Sequence, residues 1–322
     1  MRVIVGFVSL LASVVTILPA AGYAKLCGDD VDGSRVPCAC GDTVVSDLTL
    51  SDDPVTTTPC AGDGLVIRAA AADHGVTIDL AGKTLQGTGS GFGLWFVYGG
   101  PGGARLLSSG GRATLVGFTD GIIAHGIDSV ASIDNVLLRK PKRDGVHVAA
   151  RNYQIHAVEV QDAGRDAVVA GGRGFDIRAT RVSNSRRFGF LISGLGGTIG
   201  GLGEGDESQG SGRIGFDVTG TGHQLVDCRA SLADEDGVHI SGMYHFVSGC
   251  VAEDNHGDGI TGTGMNWLLT GNQALHNSGS GLVVRGMGVQ DNGANLGADN
   301  GGDAPAGLPI TQCSINGVPC AP

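Results

Sequence analysis

The sequence predicts an all-β fold in which short strands stack in register as a parallel solenoid. Three observations carry this. Asp144-Gly-Val-His-Val recurs as Asp236-Gly-Val-His-Ile, and looser copies start at Asp120, Asp166, Phe188, Ile214, Asp258 and Ser280, spaced by 24, 22, 22, 26, 22, 22 and 22 residues. Apolar residues alternate within each copy and show no helical spacing. Gly makes up 58 of 322 residues, about 18% against a usual share of roughly 7%, and each interior Gly costs a helix about 1 kcal/mol. A composition of 41% apolar and 16% charged residues argues against disorder. The glycines keep no three-residue period, which excludes collagen. A net charge of −11 argues against a general nucleic-acid binder.

Residues 1–24 read as a secretory signal peptide: Arg2, an apolar run from Val3 to Leu18, then small residues up to Ala24. The run of about 16 residues is short of the roughly 20 that a spanning helix needs. The expected product is a secreted or periplasmic monomer with no membrane span.

Residues 25–60 carry Cys27, Cys38, Cys40 and Cys60 and read as an N-terminal cap. An open solenoid end is an unpaired sheet edge and needs cover. Eight cysteines in an exported chain read as disulfides. The simplest pairs are Cys27–Cys38, Cys40–Cys60 and Cys313–Cys320, although spacing alone does not fix connectivity.

Residues 61–290 read as the solenoid, whose coils stack about 4.8 Å apart. Val146, Val168, Phe190, Phe216, Val238 and Ile260 should form one buried column. The outward column beside it reads Ile123, His147, Val169, Leu191, Asp217, His239, Thr261, Val283. A second inward column contains Val158, Thr180, Cys228, Cys250 and Asn272, so Cys228 and Cys250 lie within disulfide range or stack as buried thiols. Residues 291–322 lose the period and read as a C-terminal cap, whose Asp291, Asp299 and Asp303 match no fixed Ca2+-loop spacing.

The DG[VI]-x-[VIL] strand start and the 22-residue period resemble the right-handed parallel β-helix repeat family, with its pectin-lyase-like fold, over about residues 61–303. The resemblance implies a right-handed parallel β-helix, to which the clustered cysteines add disulfide-stapled terminal caps. Lyases, epimerases, hydrolases and non-enzymes share that solenoid. It therefore implies a carbohydrate-active or carbohydrate-binding protein, with a polysaccharide lyase or C5-epimerase-like activity as the enzymatic form. Arg139-Lys-Pro-Lys-Arg143 is similar to the RxPxxR signature of pectate lyases, with the second Arg one residue early. The GHG and RIK motifs of polygalacturonases and the DPH motif of mannuronan epimerases do not occur. Two other classes stay open: a non-enzymatic binding scaffold, and a metal-handling periplasmic β-helix similar to copper-delivery accessory proteins.

Charge is unevenly placed. From Arg139 to Arg187 there are eleven Lys or Arg and five acids, and from Gly200 onward three Arg and fourteen acids. A basic band in an acidic protein suits an anionic polysaccharide such as a polyuronate. Arg143, Arg165, Arg187 and Arg213 each precede a coil start and should line up as substrate-binding residues. In uronate elimination or epimerisation a base removes the proton α to the carboxylate while a cation neutralises that carboxylate. Asp217 and His239 share the outward column one coil apart, so His239 is the candidate base. Tyr244 is the candidate proton donor, and Arg213 or Arg229 the cation. His147 has only apolar Ile123 and Val169 in its own column and is expected to contribute little.

Asp234, Asp236 and Asp258, with Glu235, Glu253 and Asp254, form an acidic cluster whose hard oxygens suit Ca2+. The competing reading is a hydrated acidic turn. The lengthened coil at 201–210 brings Glu204, Asp206 and Glu207 beside this region, either to wall a cleft or as solvated residues.

Overall fold

The computed structural model describes residues 24–69, 74–201, 203–301, 313–315 and 318–319. Residues 1–23 of the expected signal peptide, Cys320 and Asp303 lie outside the described residues, as does the side chain of Cys313. The chain forms the expected right-handed parallel β-helix, built from three sheets of fifteen, eleven and ten strands among the described residues. In each coil the chain visits the first, second and third sheet in turn, then pairs with the same sheets one coil on. Strands 146–151, 154–156 and 159–161 pair in parallel with 168–173, 176–178 and 181–183.

The predicted column from Val146 through Val168, Phe190, Phe216 and Val238 to Ile260 is in register and fully buried. The Phe190 and Phe216 rings stack at 4.4 Å. The segment with four cysteines contributes strands to the first and second sheets and contains disulfides Cys27–Cys38 and Cys40–Cys60. Cys228 and Cys250, in adjacent coils with Cα atoms 4.4 Å apart, are bonded to each other.

The repeat motif has a structural cause. The Asp at each coil start accepts a backbone N–H from the next coil: Asp120 from Asp144 at 3.0 Å, Asp236 from Asp258 at 2.9 Å, Asp258 from Ser280 at 2.6 Å. The following Gly leaves room for its neighbour. A Cβ on Gly145 would lie 2.5 Å from the Ala167 carbonyl oxygen. Corners have their own rule. Asn152, Gly174, Gly196, Gly222, Tyr244, Asn266 and Gly288 occupy one corner in successive coils, and all have φ between 51° and 70°. This is the left-handed region where Gly and Asn fit best. Three such corners recur in each coil, and Gly, Asn and Asp fill most of them.

Inside the corners run polar ladders that the alternation pattern did not reveal. Asn277 Nδ2 donates to the Ala252 carbonyl and to Asn300 Oδ1, while its own Oδ1 accepts from the Asn255 backbone N–H. Where the first sheet turns into the second, Tyr153 stacks on Phe175, Phe175 meets His223, His223 stacks on His245, and His245 meets Trp267 edge-on. His223 Nδ1 accepts the Gly197 N–H and His245 Nδ1 accepts the His223 N–H. Each Nε2 therefore carries the proton, donated to the Thr219 and Ser241 carbonyls. Burial holds both rings below the usual histidine pKa.

Two outcomes follow from these ladders. Asn277→Leu orphans buried groups, each costing about 1–3 kcal/mol, so the urea midpoint should fall with the slope unchanged. A folded pKa below the unfolded value means that the unfolded chain binds more protons. The stability that His223 and His245 contribute is therefore complete above about pH 6.5 and declines as pH falls through that value. Asp206, which burial raises to about 7, works in the opposite sense. The comparison is thus with a His223→Gln, His245→Gln variant, whose stability should lose this acid-side decline.

Candidate functional site

Three outward columns define the exposed face of the first sheet. One runs from Trp95 through Ile123, His147, Val169, Leu191, Asp217 and His239 to Thr261. The next contains His125, Ala149, Gly171, Ser193, Thr219, Ser241, Thr263 and Arg285. The third contains Arg151, Arg173, Leu195, Thr221, Met243, Met265 and Met287.

Asp217 and His239 come together. His239 Nδ1 lies 3.1 Å from Asp217 Oδ1, and because a carboxylate cannot donate, Nδ1 carries the proton. The Asp217 hydrogen bond, with the Asp217 and Asp236 charges, raises the His239 pKa against the effect of burial. The ring thus acts as an acid below its raised pKa and as a base through Nε2 above it.

Of their supposed helpers, Arg213 feels the Asp217 charge but gives its hydrogen bond to Glu235, and the other two are elsewhere. Tyr244 occupies the left-handed corner beyond the far end of strand 238–243. At about 3.3 Å per residue it is some 16 Å along the chain from His239. Arg229 is on the third sheet, paired with Glu253.

The aligned arginines are tied down. Arg143 grips Asp120 through two hydrogen bonds of 3.0 and 2.6 Å. Arg165 does the same to Asp144, and Arg187 lies 3.3 Å from Asp166. Arg213 donates to Glu235 at 3.0 Å. Where Phe188 replaces the coil-start Asp, Arg187 and Arg213 each lie 5.1 Å from its ring centroid. Burial alone would raise the Asp144 pKa, but His147 and Arg165 outweigh it and bring the carboxyl down to about 2.

The acidic cluster does not converge. Asp236 and Asp258 turn onto backbone N–H groups of the next coil, and Asp236 also accepts from Thr261 Oγ1. Asp234 stands at the surface 3.8 Å from His256. Asp254 sits in a left-handed corner, as does Asp299, 3.7 Å from His276. Asp291 accepts from the Gly293 N–H and Asn295 Nδ2. Among the described residues no three His, Cys, Asp or Glu side chains gather where a metal ion would sit. Asp206 joins the second inward column and is buried, accepting the Thr180 and Gly200 N–H groups at 2.8 and 2.7 Å.

A different constellation appears near the N-terminal half of the same face. His125 packs edge-on against His147, with ring centroids 4.6 Å apart, and His147 Nδ1 is 3.6 Å from Asp144. His147 is thus not isolated, as its own column suggested. Burial, then the His147 charge, holds His125 below the usual histidine pKa. Arg151 and Arg173, in register one coil apart, make no side-chain hydrogen bond or ion pair among the described residues. They line a cavity of about 360 Å³ with Gly126, Ile127, Ala149 and Leu195. Trp95, 37% exposed, lies two coils below His147 in its column. The signal that could have found this group was the second outward column, which places His125 diagonally between His147 and Arg151.

No protein-family model and no curated protein matches the chain. Among solved structures it is similar to the A-module of mannuronan C-5 epimerase AlgE4 from Azotobacter vinelandii, at 16% identity. The match covers 80% of this chain and 82% of that one, with a TM-score of 0.45. A likeness at this level assigns no activity.

The Asp144 carboxyl gives the test of the paired column. Its folded pKa is depressed, so its contribution is complete above the ordinary value near 3.8 and is lost as pH falls toward about 2. In Arg165→Met the carboxyl should titrate at a higher pH, and acid unfolding should begin earlier. Carboxyl NMR titration and acid denaturation followed by circular dichroism read the two effects.

Proposed function

We propose that this protein is a carbohydrate-active β-helix that binds an anionic polysaccharide of the polyuronate class along the outer face of its first sheet. One observation carries the reading: the unpaired Arg151 and Arg173 share a cavity wall beside the His125–His147 pair. Proton abstraction α to a carboxylate needs a base and a cation placed together. His125, held neutral more readily than an ordinary histidine, is the base in this reading, and the two guanidiniums take the uronate carboxylate. Trp95 offers a stacking surface further along the face. The Asp217–His239 dyad lies about 19 Å away, four coils along from His147. It forms a second proton-transfer centre without a free cation beside it.

The aligned arginines at the coil starts add to neither the enzyme nor the binding-scaffold reading. The basic column of Arg143, Arg165, Arg187 and Arg213 already holds its own carboxylates or the Phe188 ring, which is how a structural charge ladder behaves.

The purified exported chain is assayed on polyuronates with and without Ca2+. Absorbance reports unsaturated products, and deuterium uptake at the α-carbon in heavy water reports epimerisation. His125→Ala should lower turnover by about 10²–10⁴-fold, the usual contribution of a general base, while Arg151→Met and Arg173→Met raise KM. Loss of turnover in His239→Ala, with Asp217→Asn weakened and His125→Ala unaffected, would move the chemistry to the dyad. A wild type without turnover, but with polyuronate binding that salt weakens, supports the scaffold.

A further inference from the structure

The chain has four methionines, and the three after Met1 stand in one column: Met243, Met265 and Met287. They pair in register in three successive coils and are 37%, 38% and 72% exposed. The buried core uses Val, Ile, Leu, Ala and Phe and no methionine among the described residues. The thioether side chains are therefore gathered on the surface, where apolar burial gives no reason for them. The positions are closely held. A Cβ on Gly264 would fall 2.1 Å from the Gly242 carbonyl oxygen, and one on Gly286 1.8 Å from that of Gly264, so the strands carrying the methionines approach closely. Trp267 braces them from inside, donating from Nε1 to the Gly242 carbonyl at 2.9 Å.

The strip is one side chain wide. Ser241, Thr263 and Arg285 flank it in the neighbouring column, and Tyr244, Asn266 and Gly288 form the corner on its other side. A strip this narrow between polar rows offers no groove for a peptide. It does offer three neutral sulfurs at a repeat of about 4.8 Å, on flexible side chains with three rotatable bonds. Thioethers are soft ligands that select Cu(I) over hard cations. The six cysteines whose side chains are described are all in disulfides, so none of these supplies a thiol that competes for a soft ion.

We propose that Met243, Met265 and Met287 form a binding site for one soft monovalent metal ion of the Cu(I) class. The proposal uses other residues than the polysaccharide reading and stands apart from it, with Met243 at the far end of the strand that carries His239. In this site Met265 is the central ligand, and Met243 and Met287 are each one strand spacing from it.

The test uses the exported chain with its disulfides intact, labelled at the methionine methyl groups, and Ag(I) as a redox-inert stand-in for Cu(I). One equivalent of Ag(I) should shift all three methyl resonances, and one equivalent of Zn(II) should shift none. Met265→Leu should lose the saturable one-equivalent shift of the remaining two resonances, as should the triple variant M243L/M265L/M287L lose one-equivalent Ag(I) binding by calorimetry. Circular dichroism verifies that the variants fold, and if they do not, the wild-type shifts alone decide. Unmoved methyl resonances, shifts confined to one methionine, equal shifts with Zn(II), or undiminished Ag(I) binding in a folded triple variant would each overturn the proposal.

Discussion

Each side chain within the stacked coils must accept another about 4.8 Å above it and another below, because the coils pair in parallel register. Apolar residues meet the requirement easily, as the column from Val146 to Ile260 does. Polar residues meet it by becoming ladders in which each member donates to the next, as Asn255, Asn277 and Asn300 do. Like charges meet it only with help. The coil-start aspartates are separated electrostatically by arginines from the following coil, Arg143 on Asp120 and Arg165 on Asp144, and each carboxylate also takes a backbone N–H. Where the aspartate column breaks at Phe188, the arginines lie near the ring instead.

The same constraint organises the exposed face. Neighbours along a column are fixed by the fold, so chemistry there is written one coil at a time. The N-terminal coils place histidines beside free guanidiniums, the middle coils carry Asp217 and His239, and the last coils carry thioethers. The face thus has a histidine–guanidinium zone and a dyad zone set apart by the coil of Leu191 and Ser193, while the thioether column starts at Met243 in the strand that carries His239.

Much of the fold was legible because a period of 22 residues leaves few physical solutions. The buried column, the outward column and the Asp217–His239 contact all follow from counting. What counting missed has physical causes of its own. Column reasoning treats each column separately, whereas His125 meets His147 across a diagonal between two columns. The insertion gave no clue that Asp206 turns inward, since a buried carboxylate is satisfied by backbone N–H groups that have no sequence signature. Repeated DG starts looked like candidate metal ligands at Asp236 and Asp258, yet a carboxylate satisfied by the next coil's backbone produces the same pattern. The Tyr244 position reflects corner geometry, which the apolar alternation does not encode.

The disulfide between Cys228 and Cys250 has a consequence for how such a rod comes apart. Each coil touches only its two neighbours, so disorder spreads along the axis as a moving front, like a zipper opened from one end. A front arriving from either direction meets a covalent rung at coils that ordinary fluctuations cannot separate. The rung divides the rod into two lengths whose fraying is uncoupled: the histidine zone lies on its N-terminal side, the dyad sits in the two coils it joins, and Met265 and Met287 lie beyond it. Damage at one end of the molecule is thereby kept from erasing the surface at the other.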